Sequence, residues 1–169
     1  MQQVNIGEAR KRRYPLGIVL VVSCNRNGKA NVMPAGWSMD TSIDPPMWAV
    51  SVGKTRHTHK LISQTDEFVV VFPSEKHKDD ILYTGTHSGR NVDKFANCSL
   101  KPIPARKVRP PLIEDSVACL ECKVRGKLVT GDHTIFAGEI VAAHVSQEYK
   151  HRVYNVGKRV FKVLPNEAL

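Results

Sequence analysis

Gly53-Lys54-Thr55-Arg56 is the stretch best equipped to hold a ligand. It sets two cations and a hydroxyl where an apolar strand, Met47 to Val52, gives way to a short helix. The first N–H groups of a helix have no internal partner and carry its positive dipole end, so an anion is favoured there, most often a phosphate. Ser51 in the strand and Thr58 in the first helical turn add hydroxyls on either side. Thr84 to Asn91, reading TGTHSGRN, is a second candidate, with Ser88 and Arg90 as its polar groups and Lys94 just beyond. Such a loop either clamps a phosphate or simply connects two elements. The third is His133, after Gly131-Asp132 at a hairpin bend. On an unbroken strand His133, Ile135, Ala137 and Glu139 share one face, so an imidazole and a carboxylate border apolar surface. A solvated hairpin tip with a rim glutamate is the competing reading.

These groups need a scaffold, and the hydrophobic pattern predicts strands. Leu16 to Cys24 and Phe68 to Phe72 are almost wholly apolar and read as strands buried on both faces. Asn25 to Gly28 is a turn suited to positive φ, making a hairpin with a strand from near Ala30. The backbone is expected to break at Asp44-Pro45-Pro46 and to stay extended there, since a residue before proline avoids the α region. Thr58, Leu61, Ile62 and Thr65 fall at helical spacing and predict a short helix over Thr55 to Thr65. His57 and His59 on its first turn diverge too far to share a metal, and read as exposed or phosphate-contacting. Ser74 is expected to cap a helix from Glu75 to about Tyr83. Leu100 to Leu112, with four prolines and four cations, reads as an extended surface connector. Val117 to Leu128 and Thr134 to Val145 form a long hairpin through Gly131-Asp132. Small residues at Ala35 and Gly36 let a flat ring approach the main chain, and Trp37 either stacks on a ligand or, as preferred, fills the core.

At 169 residues, 41% hydrophobic and 24% charged, the chain reads as one globular domain over 1–169, with 1–13 as a basic N-terminal arm or short helix. No apolar run approaches the ~20 residues of a membrane helix, and no export signal is visible, so a cytoplasmic location is expected and no membrane partner. The formal charge of +9 comes without any nucleic-acid recognition pattern, so a basic face attracting phosphate-bearing small molecules is expected rather than nucleic acid. Cys119 and Cys122 are formally a CxxC, but three residues apart on a strand they face opposite ways and read as buried packing residues; no metal set is completed. There is no GxGxxG after a strand and no GxxxxGK[ST], so any nicotinamide coenzyme must dock where the main ligand sits.

Asn31-x-Met33, Gly36-Trp37-Ser38, Pro45-Pro46 and Thr55 with Thr58 together resemble the signature of the flavin reductase-like family, flavoredoxin included. Ser88-Gly89-Arg90 running to Lys94-Phe95, Glu121-Cys122-Lys123, Gly131-Asp132-His133 and Gly138-Glu139 follow in the family's order. The resemblance spans roughly Tyr14 to Leu164. It implies a mainly β fold with peripheral α elements, an FMN-binding split barrel of Greek-key antiparallel type. It assigns Asn31, Met33 and Ser38 to the flavin ring, and tips Ser88, Arg90 and Lys94 toward cofactor binding. It sets His133 on the nicotinamide side, and implies a homodimer with flavin at the interface. The implied activity is an oxidoreductase with non-covalent FMN that takes hydride from NAD(P)H. Electrons then pass to free flavin, ferric complexes or a partner protein. A flavoredoxin-type electron carrier without appreciable NAD(P)H activity is the alternative, and a non-catalytic basic binding protein the third reading.

Overall fold

A computed structural model describes residues 1–148 and 150–163. Its elements in chain order are α1 (Ile6–Lys11), β1 (Leu16–Gly17), β2 (Val19–Cys24), β3 (Ala30–Ala35), β4 (Ser38–Ser42), β5 (Met47–Gly53), α2 (His57–Thr65), β6 (Glu67–Phe72), α3 (Lys78–Thr86), β7 (Pro102–Ile103), β8 (Leu112–Ile113), β9 (Ala118–Thr130), β10 (His133–Val145), β11 (Val153–Asn155) and β12 (Phe161–Val163). Seven strands form one antiparallel sheet in the order β3-β2-β6-β9-β10-β5-β4. The two outermost strands, β3 and β4, are separated only by Gly36 and Trp37. A sheet whose edges are consecutive in the chain curls to bring them together, and Ser51 N–H donates to the Trp37 carbonyl (2.9 Å), extending the β4–β5 ladder back into that two-residue link. The result is the expected split barrel.

Hydrophobic alternation divides the core in two. Val19 and Val21, Val50 and Val52, Phe68 and Val70, Cys122 and Phe136 fill the barrel interior together with Ile62 of α2. The opposite faces of β2, β6 and β9 carry Leu20, Val22, Val69, Val71 and Cys119, packed beneath Ile81 of α3 and the connector residues Leu100, Leu112 and Ile113. Cys119 and Cys122 therefore sit in different halves of the core. Burial raises both thiols, that of Cys122 to about 12, so neither offers a reactive thiolate.

Three local expectations are corrected. Asp44-Pro45-Pro46 is the β4–β5 turn, with a cis Asp44–Pro45 bond, not an extended passage. The helix α3 continues through Thr86, because the Thr84 and Thr86 hydroxyls donate back to the Asp80 and Leu82 carbonyls (2.7 and 2.9 Å). Gly85 keeps it close to β3, since a Cβ there would press on Pro34. The face shared by His133 and Glu139 carries no joint site among the described residues, because Glu139 lies midway along β10, beyond a bulge at Ala137/Gly138, and is paired with Arg125 (2.7 Å).

Glu121 does work that its place in the sequence does not disclose. Its fully buried carboxylate accepts the backbone N–H groups of Arg106, Lys107 and Val108 (2.9, 2.6 and 3.1 Å), and His144 Nε2 lies 2.7 Å away. Burial opposes its charge, yet the donors hold its carboxyl below the usual carboxylate range. The connector is thus pinned to β9 by one side chain. Glu121→Ala should cost about 3 kcal/mol in urea unfolding, the scale of several charge-assisted bonds lost against refilling by water. A change under about 0.5 kcal/mol would show the connector to be held otherwise.

Candidate functional site

A cavity of about 490 Å³ opens between β3 and the β5–β10 side of the barrel, walled by the loop after α3 and by the residues leading into β1. Asn31, Met33, Trp37, Ser51, Thr55, Arg56, Thr58, Ser88, Arg90, Lys94 and His133 all line it. Residues separated by more than a hundred positions in the chain converge there, because β5 lies between β10 and β4, and the β3 edge closes on them. No acidic side chain lines the cavity among the described residues.

Two expected residues do not reach it. Lys54 turns away: its N–H donates to the Asp132 carbonyl (2.9 Å) and its ammonium to the Gly131 carbonyl (2.6 Å), stapling β5 to the β9–β10 turn. Ser38 follows Trp37 into β4, and neighbouring strand residues face opposite sides, so Trp37 takes the cavity side and Ser38 does not. Trp37 itself is 39% exposed and forms the cavity wall instead of filling the core.

The deep end is cationic. Lys94 is 5% exposed, and its ammonium donates to the Val32 and Thr84 carbonyls (2.7 and 2.6 Å). An ammonium has three protons, so one donor is left over, and no carboxylate pairs with Lys94 among the described residues. Burial, then Arg56 nearby, lowers its pKa to about 8. The same field acts on His57, whose pKa is pushed down by burial and by Arg90, Lys60, Lys94 and Lys29. Arg56 precedes α2 without any side-chain cap, and Arg56, His57 and Thr58 at this helix start all line the cavity.

Beside them lies an incomplete polar group. The Asn31 amide donates to Thr58 Oγ1 (2.9 Å), while its carbonyl oxygen Oδ1 is buried without a partner. Gly89 makes this possible, since any Cβ at that position would collide with Asn31 Oδ1. His57 Nδ1 is likewise buried and unpartnered. His59 is neither exposed nor a ligand group: it shares a hydrogen bond with Thr134 Oγ1 (2.9 Å) and packs edge-on against Phe136.

At the shallow end, His133 is held from two sides. Asp132 Oδ1 lies 2.7 Å from its Nδ1, and the Trp37 ring is 4.8 Å away, tilted by 39°. That bond keeps the Asp132 carboxyl below its ordinary range. A carboxylate only accepts, so Nδ1 carries the proton and Nε2 is left for a ligand. His57, read as exposed or phosphate-contacting, lines the cavity, as do Gly89, Arg13 and Asn155, which sequence reasoning did not assign to the ligand. The Ser-Gly-Arg loop carried a signal for Gly89; Arg13 and Asn155 arrive from the two chain ends through the β1–β11 pairing and carried none.

A curled antiparallel barrel with short peripheral helices is the architecture of the FMN-binding split barrels. The family model "Flavin reductase like domain" matches residues 11–163, and the chain belongs to that family. An uncharacterized protein of Archaeoglobus fulgidus is 41% identical over 128 residues, 76% of this chain and 71% of that one. Flavoredoxin of Desulfovibrio vulgaris (Miyazaki F) superposes with a TM-score of 0.86 at 28% identity, covering 99% of this chain and 96% of its own. The FMN-binding protein from Thermus thermophilus with bound p-hydroxybenzaldehyde gives a TM-score of 0.85 at 26% identity, covering 100% and 96%.

Proposed function

We propose that the chain binds FMN non-covalently in this cavity and works as an NAD(P)H-dependent oxidoreductase. The observation that carries the reading is Lys94, a buried ammonium with a spare donor, facing a cavity where the described residues supply neither a counter-ion nor an acidic group. A charge kept under those conditions calls for an anionic ligand, and the phosphate of FMN supplies one. The orphaned Asn31 Oδ1 and the uncapped start of α2 fit the same ligand, because each lacks a partner that a polar cofactor provides. Lys94, Arg56, Arg90, Ser88, Thr55 and Thr58 would hold the phosphate end. Asn31, Met33, Ser51 and Trp37 would border the ring.

FMN, when bound, supplies hydride and electron chemistry, from NAD(P)H to free flavin, a ferric complex or a partner protein. The chain's own part is placement. His133, fixed by Asp132 and Trp37, would orient the second substrate through Nε2, and the barrel wall would keep bulk water from one side. A flavoredoxin-type electron carrier is the second reading, favoured by the likeness to the Desulfovibrio protein. Anaerobic addition of NADH and of NADPH to the flavin-loaded chain separates the two: bleaching by either supports the reductase, and bleaching by dithionite alone supports the carrier.

A homodimer belongs to this reading. Met39 and Ile43 on the β4 side, and Leu128 and Val129 at the end of β9, are 60%, 96%, 61% and 65% exposed, apolar surface that a second copy would cover. Sedimentation at micromolar concentration should give twice the chain mass. A monomer that still holds FMN would contradict the dimer.

A further inference from the structure

Arg10 and Arg13 lie outside the set assigned to FMN, yet both reach the cavity's rim. Their guanidinium carbons are 5.3 and 5.6 Å from the Trp37 ring centre, and Arg13 is also 5.4 Å from the Tyr14 ring. Arg13, Tyr14 and Trp37 line the same cavity as His133. Neither arginine pairs with a carboxylate among the described residues. A guanidinium resting on an aromatic face keeps its N–H donors for another partner.

This cationic end is distinct from the one at Lys94. Lys94 is bonded to Val32, and the run from Val32 to Trp37 spans up to roughly 16 Å at strand rise. One flavin phosphate satisfies one end and leaves the other charged. That step rests on the FMN reading; the cluster of Arg10, Arg13 and Trp37 does not. The arm that carries it is also able to yield, since α1 buries none of its residues.

We propose that Arg10 and Arg13, beside Trp37, form a second anion subsite that selects a planar substrate bearing a carboxylate or a phosphate. The flat part of such a substrate takes the indole face, and the displaced guanidinium groups turn to its charge. Specificity then resides in the arm, a segment separate from the barrel that positions FMN.

Calorimetric titration of the flavin-loaded and the flavin-free chain with two matched pairs tests this. Nicotinate and nicotinamide differ by carboxylate against neutral carboxamide; nicotinamide mononucleotide and its riboside differ by a phosphate. In at least one pair the anionic member should bind about tenfold tighter or more, with the gap shrinking as salt rises. Arg10→Gln with Arg13→Gln should bring that pair to within about threefold. A preference in the first pair alone assigns carboxylate substrates, and in the second alone the phosphate of a nucleotide; either supports the subsite. Equal affinities within both pairs, a preference that survives the double substitution in a chain of unchanged circular dichroism, or no binding by any of the four overturns it. FMN uptake is read separately from colour, so a chain that stays colourless but keeps the preference overturns the flavin reading alone.

Discussion

Replacing Lys94 by methionine should weaken FMN binding about a hundredfold, which is about 2.8 kcal/mol. One charge-assisted bond is worth about 1.5–3 kcal/mol, and at a buried position salt screens it little. Arg56→Ala and Arg90→Ala, at exposed positions, should each cost nearer tenfold. Lys54→Ala should leave affinity within about twofold, because that ammonium is committed to the Gly131 carbonyl. Fluorescence of free FMN on titration checks all four. The ranking matters more than any single value, and Lys54 outweighing Lys94 would move the phosphate to the β9–β10 turn.

The same group gives a pH signature. In the proposed site Lys94 would bind the phosphate only when protonated, and its pKa in the flavin-free chain is about 8. FMN affinity should therefore be full below pH 8 and decline above it, by up to about tenfold per pH unit. Stability of the flavin-free chain should move the opposite way. The unfolded lysine titrates near 10.5, so between about 8 and 10.5 the unfolded chain binds more protons, and this group adds stability as pH rises. Lys94→Met should erase both slopes.

His133→Ala should retain FMN while slowing its reduction by NAD(P)H on the order of a hundredfold, the effect of a substrate displaced by about 1 Å. Reduction by dithionite, which needs no positioning, should be unchanged. Asp132→Asn should fall between the two, because it keeps a side chain beside Nδ1 but frees the ring to adopt either tautomer. Stopped-flow bleaching under anaerobic conditions measures each. Unchanged rates with both reductants would make His133 a solvated turn residue. Loss of FMN with normal turnover of the remaining loaded protein would move it into the flavin site itself.

The strands were legible wherever burial on two faces forces an unbroken apolar run, as in Val19–Cys24 and Phe68–Phe72. The hairpins were legible at Gly28 and Gly131, whose positive φ the turn residues announce. The helix α2 was legible from Thr58, Leu61, Ile62 and Thr65, its buried stripe. What escaped depends on contacts far along the chain. Lys54 looked like a phosphate ligand because of its neighbours in sequence, but its direction is set by a carbonyl 77 residues away. Lys94 was a candidate beside Ser88 and Arg90, but its burial and its bond to the Val32 carbonyl, 62 residues upstream, were not legible. Trp37 was assigned to the core on general preference, whereas the closing seam between β3 and β4 turns it outward beside His133. Eleven of the thirteen residues assigned to the site from the sequence line the cavity, Ser38 and Lys54 being the exceptions; side-chain direction within it needed the fold.

Binding of FMN followed by reduction from NAD(P)H is the claim on which the rest depends, and one experiment reads both. The purified chain is loaded with FMN, cleared of unbound flavin, and titrated with NADH and NADPH in the absence of oxygen while the visible flavin band is followed. The expected result is a yellow protein whose band bleaches stoichiometrically with one or both coenzymes and returns on admission of air. A chain that retains no flavin, or a retained flavin that neither coenzyme bleaches while dithionite does, would contradict it.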